Sequence, residues 1–250
     1  MTKKKMSNGK RILLAIAAVL VVAVAAFLVY TSDYYHADAR AWAAMESDGS
    51  SEVDVRALDG GYIAFVPQNP VAGLVFYPGG KVEPESYAPL LKECAEHGVL
   101  CVLVKPPFNL AILDSNAADG ALAQFPEVDS WYLAGHSLGG VVASSYVDGH
   151  AQDVDGLLLL AAYSSTDISD FPGPVISLVG SNDLVLNREK YEEAQGNLPP
   201  SAEERVIEGG NHAGYGDYGA QQGDGAASIS PQEQREAVVD AMDDLLRLAA

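Results

Sequence analysis

Gly135-His136-Ser137-Leu138-Gly139 sets one hydroxyl between two glycines, where the apolar run SWYLAG ends and LGGVVASSYV begins. A serine hydroxyl ionises far above neutral pH, so it attacks a carbonyl only when exposed, held still and placed beside a base. A G-x-S-x-G turn between a strand and a helix supplies the exposure and the rigidity, because glycines two places away on each side make room for the neighbouring backbone. The chemistry open to Ser137 is therefore acyl transfer.

The base and the acid are expected later in the chain, at the carboxyl ends of later strands, in the order serine, acid, histidine. The apolar run PVISLVG leads into Ser181-Asn182-Asp183, and RVIEGG leads into Asn211-His212. Asp183 and His212 are the expected pair, with Asp167, after GLLLLAAYSST, as the rival acid. His136 is closer in sequence, but adjacent side chains on a sharp elbow diverge, so it is expected to support the turn. His36 follows the apolar N-terminal run, and His97 and His150 sit at helix ends, where cations cap favourably. An oxyanion needs two N–H donors, one from the residue after the nucleophile and one from a loop after an early strand. Leu138 supplies the first, and Gly80 in FYPGGKV is expected to supply the second, with Lys81 as its alternative.

These residues need a scaffold that ends several strands along one edge. VAGLVFY, VLCVLV, SWYLAG, GLLLLAA and PVISLVG are apolar throughout and alternate with helical segments, the pattern of a parallel sheet buried on both faces. Ahead of them VDVRAL and YIAFV flank Asp59-Gly60-Gly61, a hairpin signal. PQEQREAVVDAMDDLLRLA closes the chain as an amphipathic helix with Pro231 in its first turn. The expected fold is a doubly wound α/β domain with an antiparallel start. Only about a dozen residues join GLLLLAA to PVISLVG, a loop of ordinary length, so no cap domain is expected and a compact substrate is favoured. The Gly-rich stretch GYGDYGAQQGDGAAS after His212 is expected either to rim the site with Tyr215 and Tyr218 or to fix the position of His212.

At the other end, Lys3, Lys4, Lys5, Lys10 and Arg11 precede an uncharged run from Ile12 to Tyr30. At about 1.5 Å per residue that run just crosses roughly 30 Å of hydrocarbon. The expected organisation is a basic cytoplasmic segment over 1–11, a membrane anchor over 12–30, a tether over 31–52 and a globular domain over 53–250. The cationic side stays inside, which places the domain outside the cell membrane. Secretion after cleavage is the alternative, because Ala23-Val24-Ala25 and Ala37-Asp38-Ala39 both have the small-x-small form. The formal charge is -19, and setting aside the five cationic residues before Ile12 leaves 10 basic against 34 acidic residues. That field repels polyanions, which excludes nucleic acid as an expected partner. Cys94 and Cys101 are expected as buried free thiols without a catalytic role, with a disulfide between them as the alternative.

From Val53 onward the chain resembles the compact α/β hydrolases of the dienelactone-hydrolase-like group, on its Gly-His-Ser-Leu-Gly elbow and its Ser137, Asp183, His212 order. The resemblance implies an eight-stranded, mostly parallel sheet, a Ser137-His212-Asp183 triad, and neither metal nor cofactor. Tyr77-Pro78 replaces the His-Gly-rich start of the better-known oxyanion loop, and the nucleophile is serine where dienelactone hydrolase itself has cysteine, so that enzyme's substrate does not transfer. The expected function is a membrane-anchored serine hydrolase of carboxylic esters or small acyl compounds. A silent surface binding protein and a peptidase are the alternatives.

Overall fold

The computed structural model describes residues 7–46 and 52–249. Lys3, Lys4 and Lys5, and residues 47–51 of the expected tether, lie outside the described residues. The chain divides into two units, residues 1–34 and 35–250.

In the first unit a helix, α1, runs Asn8–Ser32, with the Ser7 hydroxyl capping the Lys10 N–H. It is 25 residues long, and its most apolar 18-residue window has a mean hydropathy of 3.3, enough to cross a membrane by length and composition. An N-terminal signal sequence has the same character.

The second unit is built on one sheet of eight strands. β1 (Val53–Leu58) and β2 (Tyr62–Pro67) form the expected hairpin, and Gly60 and Gly61 turn it with φ of 84° at each, a conformation that disfavours a side chain. β3 (Ala72–Tyr77), β4 (Val99–Val104), β5 (Trp131–His136), β6 (Gly156–Leu160), β7 (Val175–Gly180) and β8 (Glu203–Ile207) follow, all mutually parallel. The spatial order is β1-β2-β4-β3-β5-β6-β7-β8. Every residue of β3 to β7 is buried, which is why these strands read as unbroken apolar runs. The edges carry charge instead: Asp54 and Arg56 on β1, Glu203, Glu204 and Arg205 on β8.

Side chains alternate between the two faces. Leu74 and Phe76 join one core with α3 (Ala88–Glu96) and α7 (Pro231–Ala249), while Val75 and Tyr77 join the other with α4 (Ala117–Ala123) and α5 (Leu138–His150). α7 starts in a capping box in which Ser230 Oγ accepts the Glu233 N–H at 3.2 Å and Glu233 returns a carboxylate to the Ser230 N–H at 2.7 Å. After β3 the chain crosses one way to β4 and then the other way to β5, so a crevice opens between the carboxyl ends of β3 and β5. Among the described residues no separate cap domain covers that edge.

The body of this unit starts earlier than Val53. Tyr35 forms a parallel bridge with Val82, and α2 (Ala39–Ala44) packs on α3 with Ala41 wholly buried. Asp38 caps α2, accepting from the Arg40 and Ala41 N–H groups. Residues 35–44, within the stretch expected as a tether, thus pack on the domain.

Candidate active site

β5 ends at His136, and Ser137 turns the chain into α5 with φ 51° and ψ -120°. That left-handed conformation is costly for a residue with a side chain and persists only where its surroundings fix it. Here the Ser137 N–H continues the sheet by donating to the Leu160 carbonyl at 2.9 Å. A methyl at Gly139 would strike the Tyr77 and Pro78 carbonyl oxygens, and one at Gly135 would strike the Gly139 backbone, so both glycines are required by the close approach of strand and helix.

His212 follows β8, and its Nδ1 lies 2.8 Å from Asp183 Oδ2 at the end of β7; both side chains are buried. The other carboxylate oxygen of Asp183 accepts the Val185 and Leu186 N–H groups, each at 2.8 Å. Burial pushes the Asp183 carboxyl up, but His212 and these two N–H donors outweigh it and hold the group below its ordinary value. An ionised Asp183 keeps the Nδ1 proton facing it and leaves Nε2 of His212 as the basic nitrogen. Ser137 and His212 line one cleft of about 240 Å³ with Leu138, Val141, Tyr163, Val185, Leu186 and Asn187. Asp167 lines a different cleft, and its carboxylate caps the Ser169 N–H at 3.0 Å.

The loop after β3 commits its N–H groups one by one. Gly79 donates to the Tyr87 hydroxyl at 3.0 Å, and Lys81, at φ 59°, donates to the Asn109 carbonyl at 2.8 Å. Among the described residues the Gly80 N–H has no protein acceptor, and neither does that of Leu138 in the first turn of α5. Gly80 lies against Leu138, since a methyl on Gly80 would come within 3.0 Å of Leu138 Cδ2. The helix dipole adds partial positive charge at the same place. This arrangement can bind a developing oxyanion beside Ser137.

Behind these groups lies a buried layer. The Tyr87 hydroxyl accepts from Gly79 and shares a hydrogen bond of 2.8 Å with His136 Nδ1. The His136 ring packs 4.6 Å from the ring of His212 and 5.3 Å from that of Tyr215. Burial, and then the charge of His212, hold His136 well below its ordinary pKa, so it stays neutral and supports the turn. Tyr215 and Tyr218 are buried, which gives the Gly-rich loop the task of fixing His212. Asp224 in that loop accepts the Ala213 N–H at 2.9 Å, and Gln234 on α7 brackets Asn211 with two main-chain hydrogen bonds. Cys94 and Cys101 are buried free thiols.

The sequence reading did not single out Tyr87, Gln234 or Asp224. The one local signal was the Tyr that follows the oxyanion loop, in PESYAP, which carries no motif of its own.

Residues 73–236 match the description of the alpha/beta hydrolase family. No curated protein matches the chain. Among solved structures the chain is similar to dienelactone hydrolase from Anabaena variabilis, with TM-score 0.60 and 13% identity over 79% of this chain and 98% of that one. It is also similar to Est1E from Butyrivibrio proteoclasticus, with TM-score 0.55 and 15% identity over 79% of this chain and 100% of that one. TT1662 from Thermus thermophilus is similar at TM-score 0.56 and 17% identity, over 78% of this chain and 99% of that one. At such identities these structures speak for the fold, and the family match spans well over half of the sequence. The chain belongs to the α/β hydrolase family.

Proposed function

We propose that this hydrolase is a serine esterase for carboxylic esters or related compact acyl compounds, held to the membrane by α1. The observation that carries the reading is the buried His212-Asp183 hydrogen bond of 2.8 Å beside a strained Ser137 in one cleft. In this mechanism His212 Nε2 takes the Ser137 proton as Oγ attacks the acyl carbon. The carbonyl oxygen becomes an oxyanion between the Leu138 and Gly80 N–H groups. Collapse expels the alcohol with the proton from His212 and leaves an acyl-serine. Water, deprotonated by His212, then releases the acid and restores the serine. Asp183 stabilises the imidazolium in both halves and keeps its proton on Nδ1. The proposed topology puts residues 1–11 in the cytoplasm and the hydrolase domain outside, because the basic residues precede the apolar helix.

A fluorophosphonate probe tests the nucleophile without a known substrate. The wild-type chain should be labelled and Ser137→Ala should not, while Ser137→Ala and His212→Ala should each cost about four to six orders of magnitude in turnover, without a large further loss in the double variant. A folded wild-type protein that resists the probe would instead be a binding protein.

A further inference from the structure

The cleft rests on three pieces of backbone: the elbow at Ser137, the oxyanion loop over 78–82 and the histidine loop over 212–228. The elbow is locked between β5 and α5. The other two are loops, and one segment ahead of the sheet touches both of them. Tyr35 donates its N–H to the Lys81 carbonyl at 2.8 Å and accepts the Glu83 N–H at 2.8 Å. Its hydroxyl accepts the Gln222 N–H at 3.0 Å, and its ring packs on Tyr218 with centroids 5.5 Å apart. The contact continues along the segment, where Ala37 donates to the Glu83 carboxylate at 2.8 Å and Asp38 donates to the Asp217 carbonyl at 2.8 Å. Asp217 is itself buried and paired with Arg235 at 2.9 Å.

We propose that residues 35–44 are a strap on the active site, with Tyr35 as a positioning residue that holds the oxyanion loop and the histidine loop in register. The role in turnover rests on the reading of Ser137 as nucleophile; the mechanical role does not. Lys81 is the reason the strap matters. A lysine at φ 59° is strained and stays so only while other segments pin it. Both of its main-chain polar groups are pinned from outside the loop, the N–H by Asn109 and the carbonyl by Tyr35. Releasing Tyr35 frees one of the two and lets the peptide units around Gly80 rotate, which moves the N–H meant for the oxyanion. A donor displaced by about an ångström loses on the order of a hundredfold in rate while leaving ground-state binding almost untouched.

The experiment uses the full chain in detergent and compares wild type with Tyr35→Ala, Tyr35→Phe and Tyr35→Pro, the last lacking the N–H that reaches Lys81. Two readouts are taken: amide hydrogen exchange over residues 79–83 and over 213–224, and kcat and KM on p-nitrophenyl acetate. Tyr35→Ala, which keeps the main-chain bonds to Lys81 and Glu83 but loses the ring and hydroxyl, should speed exchange over 213–224 about tenfold or more. Tyr35→Pro, which also loses the bond to Lys81, should speed it in both segments and lower kcat about ten- to a hundredfold, with KM within about threefold of wild type. Tyr35→Phe keeps the ring and the main chain and should retain most of the rate. Folded Ala and Pro variants with wild-type exchange overturn the strap; if the Pro variant does not fold, Tyr35→Ala alone decides. Accelerated exchange with unchanged kcat removes the positioning role. A wild-type chain that neither turns over ester nor takes the fluorophosphonate sinks the hydrolase reading, and exchange still decides the mechanical claim.

Discussion

Asp183 spends one carboxylate oxygen on His212 and the other on two backbone N–H groups, so every lone pair that matters is directed. Replacing it with Asn preserves the shape, but its amide can turn an N–H toward Nδ1 and favour the wrong tautomer. Asp183→Asn should cost about four orders of magnitude in kcat, whereas Asp167→Asn, whose carboxylate only caps an exposed turn, should stay within about threefold. The reverse ranking in the same steady-state assay would move the acid to Asp167. His136 carries a different prediction. Its folded pKa is depressed, so below roughly pH 6.5 the unfolded chain binds a proton at this site that the folded chain refuses. Stability from the neutral ring is complete above that pH and is lost as the pH falls, by up to about 1.4 kcal/mol per pH unit. Thermal unfolding between pH 7.5 and 5 should lose this part of its slope in His136→Gln. An unchanged slope would mean that His136 is charged inside the fold. Ser137 and His212 were legible because each closes a recognisable strand. Tyr87 was not, because its hydroxyl serves a ring 49 positions away in sequence, and only the folded sheet brings them together.

The strands announce themselves because burial on both faces leaves no room for polar residues, and the helices follow from what lies between them. Loops are harder. The Gly-rich stretch after His212 offered two roles, and the burial of Tyr215 and Tyr218 favours support of His212 over a rim on the cleft. The segment over 35–44 was read as part of a tether because ARAWAA has too few large apolar residues to show a buried stripe; several of the bonds that hold it run between main-chain atoms of distant segments, which leave no trace in side-chain patterning. The elements also bound the substrate. The connection between β6 and β7 is short, and the cleft beside Ser137 measures only about 240 Å³. A lined acyl tunnel would return about 0.8 kcal/mol for each methylene buried. kcat/KM on p-nitrophenyl esters should therefore level off at short chains. A steady climb past about eight carbons, at the slope of methylene burial, would reveal a tunnel that the short connection argues against.

For the molecule as a whole the charge is divided by the apolar helix, with five cationic residues before Ile12 and all 34 acidic residues after Tyr30. If the cationic end stays inside, protease added to intact cells should reach the hydrolase domain, and immunoblotting should show the full-length band disappear. Protection until the membrane is broken would invert the orientation. The fold also decides how a soluble version should be cut. A gene fragment begun at codon 53, where the hairpin starts, looks natural on paper and would discard Tyr35 and α2 along with α1. The Lys81 carbonyl and the Glu83 N–H would lose their partners, and the surface of α3 that α2 covers would face solvent. A fragment begun at codon 34 keeps all of them. For the same reason a signal peptidase acting after Ala25 would leave residues 35–250 whole, and one acting after Ala39 would remove Tyr35 with its bonds to Lys81 and Glu83.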